Sequence, residues 1–159
     1  MNYQFDAGPG RIAVRGLMTY QPKQVSVTIP GTTPQNAAGN AGLPSKRVNV
    51  NFKYTQGPFS WDIAQRWHNA TGRSSDPLAV YALGKVPSNY TTDTTFAYNL
   101  EVLGGTNQVY LSVQNVFNKE PPPHGAVGGP SSVPGLFLAT TNGDDIMGRY
   151  FTVGFRFKR

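Results

Sequence analysis

Between Arg149 and Phe157 the chain alternates without a break, with Phe151, Val153, Phe155 and Phe157 on one side and Tyr150, Thr152, Gly154 and Arg156 on the other. A period of two is the mark of a β-strand with one apolar face, because successive side chains of a strand point to opposite faces. In an aqueous domain such a face covers a core. Here the same pattern returns in at least five other long segments, and the apolar faces are unusually aromatic, which points to a barrel wall in lipid.

The other segments follow in order. Ile12, Val14, Gly16, Met18 and Tyr20 oppose Arg11, Ala13, Arg15, Leu17 and Thr19; Pro22 then interrupts, and Val25, Val27 and Ile29 resume in the opposite parity, as a bulge between Gln21 and Gln24 would require. Val48, Val50, Phe52 and Tyr54 lead through Gln56-Gly57-Pro58 to Phe59, Trp61 and Ile63, the clearest hairpin of the chain. Thr94, Phe96, Tyr98, Leu100 and Val102 are followed by a Gly104-Gly105-Thr106-Asn107 turn and then by Val109, Leu111 and Val113.

Composition fits strands and little else. The 159 residues suffice for one domain, and 18 Gly, 13 Pro and only 14% charged residues argue against long helices. No run of eighteen apolar residues is present, so a membrane reading has to use strands. With no cysteine there is no disulfide framework, thiolate metal site or cysteine nucleophile. The net charge of +6 is spread along strands and loops without forming a patch, so nucleic acid is not an expected partner.

The connections have a rhythm. They are short at 6–10, 56–58 and 103–107 and long at 30–45, 69–88 and 118–147, as in an up-and-down barrel with tight periplasmic turns and long outer loops. On this placement Phe59 and Trp61 lie near the periplasmic rim and Trp67 near the outer rim, and with Phe151, Phe155 and Phe157 they are the expected membrane-interface aromatics.

Three stretches resemble the C-terminal end of a TonB-dependent outer-membrane receptor. They are Ser112-Val113-Gln114-Asn115-Val116-Phe117-Asn118-Lys119-Glu120-Pro121-Pro122, then Gly148-Arg149-Tyr150-Phe151 opening a strand that closes with Phe155-Arg156-Phe157, and Gly42-Leu43-Pro44-Ser45-Lys46-Arg47 before the hairpin. In order and spacing they cover nearly the whole chain. Two features depart from the family pattern: Lys158 and Arg159 follow Phe157 where an aromatic usually ends the chain, and Gly154 is displaced from its usual place in the assembly signal. The resemblance implies a plugged barrel of 22 strands. Six or seven strands cannot close around a plug, so the expected fold is an all-β, antiparallel, up-and-down transmembrane β-barrel segment, incomplete as a barrel. Residues 1–159 are then the C-terminal part of the barrel domain, with the signal peptide, plug domain and TonB box outside this fragment.

No catalytic constellation is visible, so the chain is not expected to be an enzyme. His68 and His124 lie far apart, and neither a metal nor a cofactor is expected. Asp144-Asp145 beside Asn142-Gly143 read as solvated loop carboxylates in preference to a divalent-ion site. The outer half of the lumen wall carries Arg47, Asn49, Arg66, His68, Asp93 and Gln114, candidates for the path of a small-molecule ligand, with contact to plug or water as the plainer role. Arg149 falls on the lipid-facing parity, where its stem can lie on apolar surface and its guanidinium can meet lipopolysaccharide phosphates.

By resemblance, the function is energised uptake of a scarce solute, such as siderophore-iron, an oligosaccharide or a vitamin-like molecule, through the bacterial outer membrane. The implied partners are outer-membrane lipid and lipopolysaccharide, the TonB complex by way of the plug, and the ligand. Two alternatives are a soluble β-sandwich carbohydrate-binding module using Trp61 and Trp67 as sugar platforms, and a small outer-membrane barrel pore.

Overall fold

The structure, a computed structural model, describes residues 1–27, 30–31, 34–40, 42–73, 84–102, 105–122, 124–125, 138–139 and 143–157. Ile29, the 103–104 turn, most of the 118–147 loop, and Lys158 and Arg159 lie outside them, as does the side chain of His124. The strands are β1 (Asn2–Ala7), β2 (Gly10–Tyr20), β3 (Val25–Ser26), β4 (Gln35–Asn36), β5 (Lys46–Gln56), β6 (Phe59–His68), β7 (Thr71–Gly72), β8 (Lys85–Val86), β9 (Asn89–Val102), β10 (Gly105–Gln114), β11 (His124–Gly125), β12 (Leu138–Ala139) and β13 (Tyr150–Arg156). The seven long ones form one antiparallel sheet in chain order, β1-β2-β5-β6-β9-β10-β13, and the two-residue strands pair as β3 with β4, β7 with β8 and β11 with β12. The fold is therefore all-β and up-and-down, and the sheet is open: β1 and β13 each have a single neighbour.

The registers join the alternating segments into two unlike faces. One row runs Tyr3, Val14, Phe52, Ile63, Thr94, Val113, Phe151 across all seven strands, and the next runs Phe5, Ile12, Tyr54, Trp61, Phe96, Leu111, Val153. The opposite face reads Arg15, Asn51, Ala64, Asp93 in one row and Asp62, Thr95, Ser112, Thr152 in another. A slip of one residue in any ladder would exchange these faces on that strand, so the apolar pattern and the register specify each other.

The apolar face has no cover among the described residues. Met18, Tyr98, Phe151 and Val153 are 61%, 47%, 65% and 75% exposed, and the only buried hydrophobic residues described are Val86 and Ala97. The buried polar residues outnumber them: His68, Thr71, Asn89, Thr91, Asn107 and Asn115. More than a dozen large apolar side chains average about half exposed on this one face. At about 1.5–3 kcal/mol for each full burial, water contact forgoes on the order of 10–20 kcal/mol. That matches or exceeds the about 5–15 kcal/mol that holds a whole domain together.

Several polar side chains on the apolar face bond within it. Trp61 Nε1 donates to Thr94 Oγ1 at 2.8 Å, Thr94 Oγ1 donates on to the Asp62 carbonyl at 3.1 Å, and Thr92 Oγ1 donates to Gln65 Oε1. Aromatic rings fill the surface between them: Trp61 stacks on Phe96 at 5.8 Å and meets Phe52 edge-on at 6.3 Å.

The ends of the sheet differ. Two of the tight turns are Gly-Pro pairs, Gly8-Pro9 and Gly57-Pro58, in which the glycine takes φ of +58° and +53°. Glycine with positive φ followed by proline with its fixed negative φ is the residue order of a II′ turn, whose twist suits a hairpin. The long connections gather at the other end and bind each other there, as where Gly72 N donates to the Gly39 carbonyl at 2.7 Å.

Two details correct the sequence reading. Val25 and Ser26 do not resume the strand of 11–20 across a bulge; they pair with Asn36 and Gln35 as a separate hairpin, because Pro22 removes a ladder donor and the loop supplies its own partner strand. The strand expected from Val109 begins at Gly105, so the turn is shorter than Gly104 to Asn107.

Gly57→Ala is expected to cost about 1–2 kcal/mol of unfolding free energy in detergent, since an L-residue is strained at positive φ even though the new methyl meets nothing within 4 Å. Gly16→Ala, equally unobstructed and with no positive φ, is the control and should cost nothing. Equal losses at the two positions would contradict the turn assignment.

Candidate functional site

At the long-loop end of the polar face, β5, β6 and β9 come together with the segment 143–147. His68 closes β6 and stands opposite Asn89, which opens β9, and opposite Arg47 on β5. Arg47, Asn49, Arg66, Trp67, His68, Asn89, Tyr90, Thr91, Gly143 and Asp144 line a cleft of about 100 Å³.

Asp144 is the centre of this arrangement. Its Oδ1 accepts from His68 Nε2 at 3.0 Å and from Asn89 Nδ2 at 3.1 Å, while the other histidine nitrogen, Nδ1, donates to the Asn69 carbonyl at 2.9 Å. A carbonyl and a carboxylate accept, so the two contacts suit a ring that carries a proton on each nitrogen. The His68 and Asp144 side chains are 9% and 5% exposed, and Asp144 Oδ2 and Asn89 Oδ1 are buried without a hydrogen-bond partner among the described residues.

Burial acts to raise the Asp144 pKa, but the hydrogen bonds from His68 and Asn89 and the charges of His68 and Arg47 outweigh it and hold the carboxyl below its ordinary 3.8. Asp144 is thus a bonded anchor, and the expectation of a solvated loop carboxylate does not hold for it. Asp145 turns back instead and accepts from the Met147 amide at 2.9 Å.

The anchor reaches far. Asp144 lies six residues before β13, yet its partners are on β6 and β9, with β10 between β9 and β13. Three inter-strand steps are about 14 Å, so the chain crosses the polar face before it enters its own strand.

A second polar knot lies beside the first. Arg66 Nη2 donates to Asp93 Oδ2 at 2.7 Å, and Asp93 Oδ1 accepts from the Asn115 amide at 2.9 Å. Asn115 is 1% exposed and bonds Lys119 twice at 2.9 Å, through Nδ2 to its carbonyl and through Oδ1 from its amide. Asn118 Oδ1 accepts from the Arg149 amide at 2.9 Å. Both asparagines have left-handed backbones, with φ of 48° and 50°, a conformation Asn tolerates better than other non-glycine residues. The asparagines of the stretch 112–122 therefore build the corner that carries the chain off β10.

The structure brings four of the six lumen-facing candidates, Arg47, Asn49, Arg66 and His68, into one cleft and ties Asp93 to it through Arg66. Gln114 is separate: it pairs with Tyr150 across the ladder, and its Nε2 donates to Ser112 Oγ at 3.4 Å. Asn89 and Thr91 were not among the candidates, and Asp144 was read as a solvated carboxylate. Asn89 was findable as the residue that faces His68 once the β6–β9 register is extended; nothing local marks Asp144. The interface aromatics Phe59, Trp61, Trp67, Phe151 and Phe155 all stand on the apolar face, and Phe157, 78% exposed, follows just past β13. Among the described residues no three His, Asp or Glu side chains converge as a metal site would need.

No family model, no curated protein and no solved structure matches the chain.

Because the Asp144 pKa is lower folded than unfolded, its contribution to stability is fully present above pH 3.8 and is lost as the pH falls through the lowered value. At neutral pH, Asp144→Asn should speed amide exchange across 143–149 about tenfold to a hundredfold, the equivalent of the about 1.5–3 kcal/mol of a hydrogen bond to a charged group. Adding His68→Gln should change little further, because the partner is already gone. Unchanged exchange in Asp144→Asn would refute the anchor.

Proposed function

We propose that the sheet is a section of the wall of an outer-membrane β-barrel, with its aromatic face toward lipid and its polar face toward the lumen. The observation that carries this reading is the apolar face itself, continuous through six ladders and without cover among the described residues, on which Trp61 bonds Thr94 and Thr92 bonds Gln65. Hydrocarbon solvates such a face and penalises unpaired polar groups, so both properties suit it. Length agrees: the ten residues of β6, at about 3.3 Å each and tilted about 40° as barrel strands are, span about 25 Å, the height of the apolar band of such barrels.

The open edges at β1 and β13 carry backbone groups that lipid cannot satisfy, and further strands would pair them. With the stretches 42–47, 112–122 and 148–157, this favours the C-terminal barrel segment of a TonB-dependent receptor, working in energised uptake of a scarce solute. The long loops capture the ligand, the cleft of Arg47, Asn49 and Arg66 offers charged donors on its path, and the Asp144 anchor holds residues 143–147 against the lumen wall.

Trp67→Phe leaves Trp61 as the only tryptophan. In phosphatidylcholine vesicles, its fluorescence should be quenched by lipids brominated on the acyl chains and spared by aqueous iodide; the reverse pattern would remove the lipid-facing assignment. An antibody to residues 143–157 should detect, in the outer-membrane fraction of the native cell, a polypeptide several times longer than 159 residues. A band in the soluble fraction would count against the receptor.

A further inference from the structure

Charge on the apolar face is confined to one end. Lys46, which opens β5 opposite Tyr20, is the only charged side chain that the seven long strands place on this face, and no carboxylate stands there. Two more cations join it just beyond the strand ends. Lys119 holds its Nζ 3.4 Å from the centre of the Tyr90 ring, and Arg149 precedes β13 in the parity of Phe151, its Nη1 donating to the Val116 carbonyl at 3.4 Å. Lys46 repeats the lysine-on-tyrosine arrangement, with Nζ 5.7 Å from the Tyr20 ring centre.

All three belong to the long-loop end. At the short-turn end the same face carries Gln56, Phe59, Tyr98, Val109 and Phe155, with no cation among the described residues. Trp67, paired with Tyr90 and Val48, lies between Lys46 and Lys119, so aromatic and basic side chains mix along one rim.

Among the described residues the ion pairs lie on the polar face, although not every cation there has one: Arg15 has no carboxylate within ion-pair distance, and Arg156 lies over the Tyr110 ring. On the polar face Arg11 is paired with Asp6, Lys53 with Asp62 and Arg66 with Asp93. Lys46, Lys119 and Arg149 have no carboxylate within ion-pair distance among the described residues, although Glu120 and Asp145 are near in sequence. An ammonium held over an aromatic ring at the edge of an apolar surface is a posture that places charge at headgroup depth.

We propose that this rim binds the phosphates of anionic lipid headgroups, with Lys46, Lys119 and Arg149 as the contacting cations and Tyr20, Trp67 and Tyr90 as the interfacial bed on which they lie. The inference rests on the lipid-facing reading of the sheet and adds to it a headgroup chemistry and a polarity: the long-loop end faces the leaflet surface richer in anionic phosphate. Arginine can grip a phosphate through two nitrogens, and the lysines supply point charges beside it.

Trp61→Phe leaves Trp67 as the only tryptophan, placed in this rim. The full chain carrying it is reconstituted in phosphatidylcholine vesicles in which one third of the lipid is brominated, either as phosphatidylglycerol or as phosphatidylcholine. Brominated phosphatidylglycerol should be preferred about five-fold, the equivalent of the about 1 kcal/mol that one cation gains at an anionic surface. The preference should fall to unity in the combined variant Lys46→Gln, Lys119→Gln, Arg149→Gln, and in 0.5 M salt it should shrink, as screened charge requires. Equal quenching by the two lipids would overturn the headgroup site and leave the lipid-facing wall standing. Quenching by neither would overturn both.

Discussion

Register governs this protein. Each of the six ladders in the seven-stranded sheet is set so that aromatic and aliphatic residues meet their like across the strands, and the consequence is a molecule with a greasy side and a polar side but with almost nothing between them. An ordinary domain folds a second layer over such a face. Among the described residues no second layer lies over it, and on the proposed reading the solvent takes that place. Water is a poor one, since the exposed apolar area costs about as much as a domain has to spend; hydrocarbon is a good one, and it explains why Trp61, Thr94, Gln65 and Thr92 satisfy one another on that side.

The polar face is organised by long-range contacts instead of by rows. Asp144 is drawn across three strands to His68 and Asn89, and Asp93 joins Arg66 to the corner at Asn115. Both knots sit at the long-loop end, and each secures a loop to the strands below it. Tyr110 shows the same economy lower on the face: its ring lies across Gly154, where any Cβ would stand within 2.2 Å of it, and Arg156 covers the ring from 4.7 Å. The glycine that breaks the strand's side-chain pattern is thus the seat of a neighbouring aromatic.

Much of this was legible in the sequence because the signals are local. Alternation located every long strand from Gly10 onward, and Gly57-Pro58 marked its hairpin because that pair fits few other backbones. The uniform parity of Phe59, Trp61, Trp67, Phe151 and Phe155 assigned one face correctly. What remained hidden depended on contacts between distant residues. Val25 and Ser26 alternate as well as any strand, and only the loop residues Gln35 and Asn36 decide that they pair apart from the sheet. Asp144 reads as a solvated carboxylate because its partners are 76 and 55 residues away. Of the lumen-facing candidates, the register brought Arg47, Asn49, Arg66 and His68 together, while Gln114 belongs to the next ladder.

The chain has no cysteine, so single cysteines can be introduced and spin-labelled without a background. Labels placed one at a time from Gln108 to Gln114 on β10, a strand paired on both sides, would report which solvent each position meets in phosphatidylcholine vesicles. The account predicts collision with oxygen, which concentrates in lipid, at 109, 111 and 113, and collision with a water-soluble nickel chelate at 108, 110, 112 and 114. Labels at 109, 111 and 113 that meet neither reagent would mean a covered core, and labels that meet the chelate throughout would mean water on both faces; either result would contradict a wall in lipid.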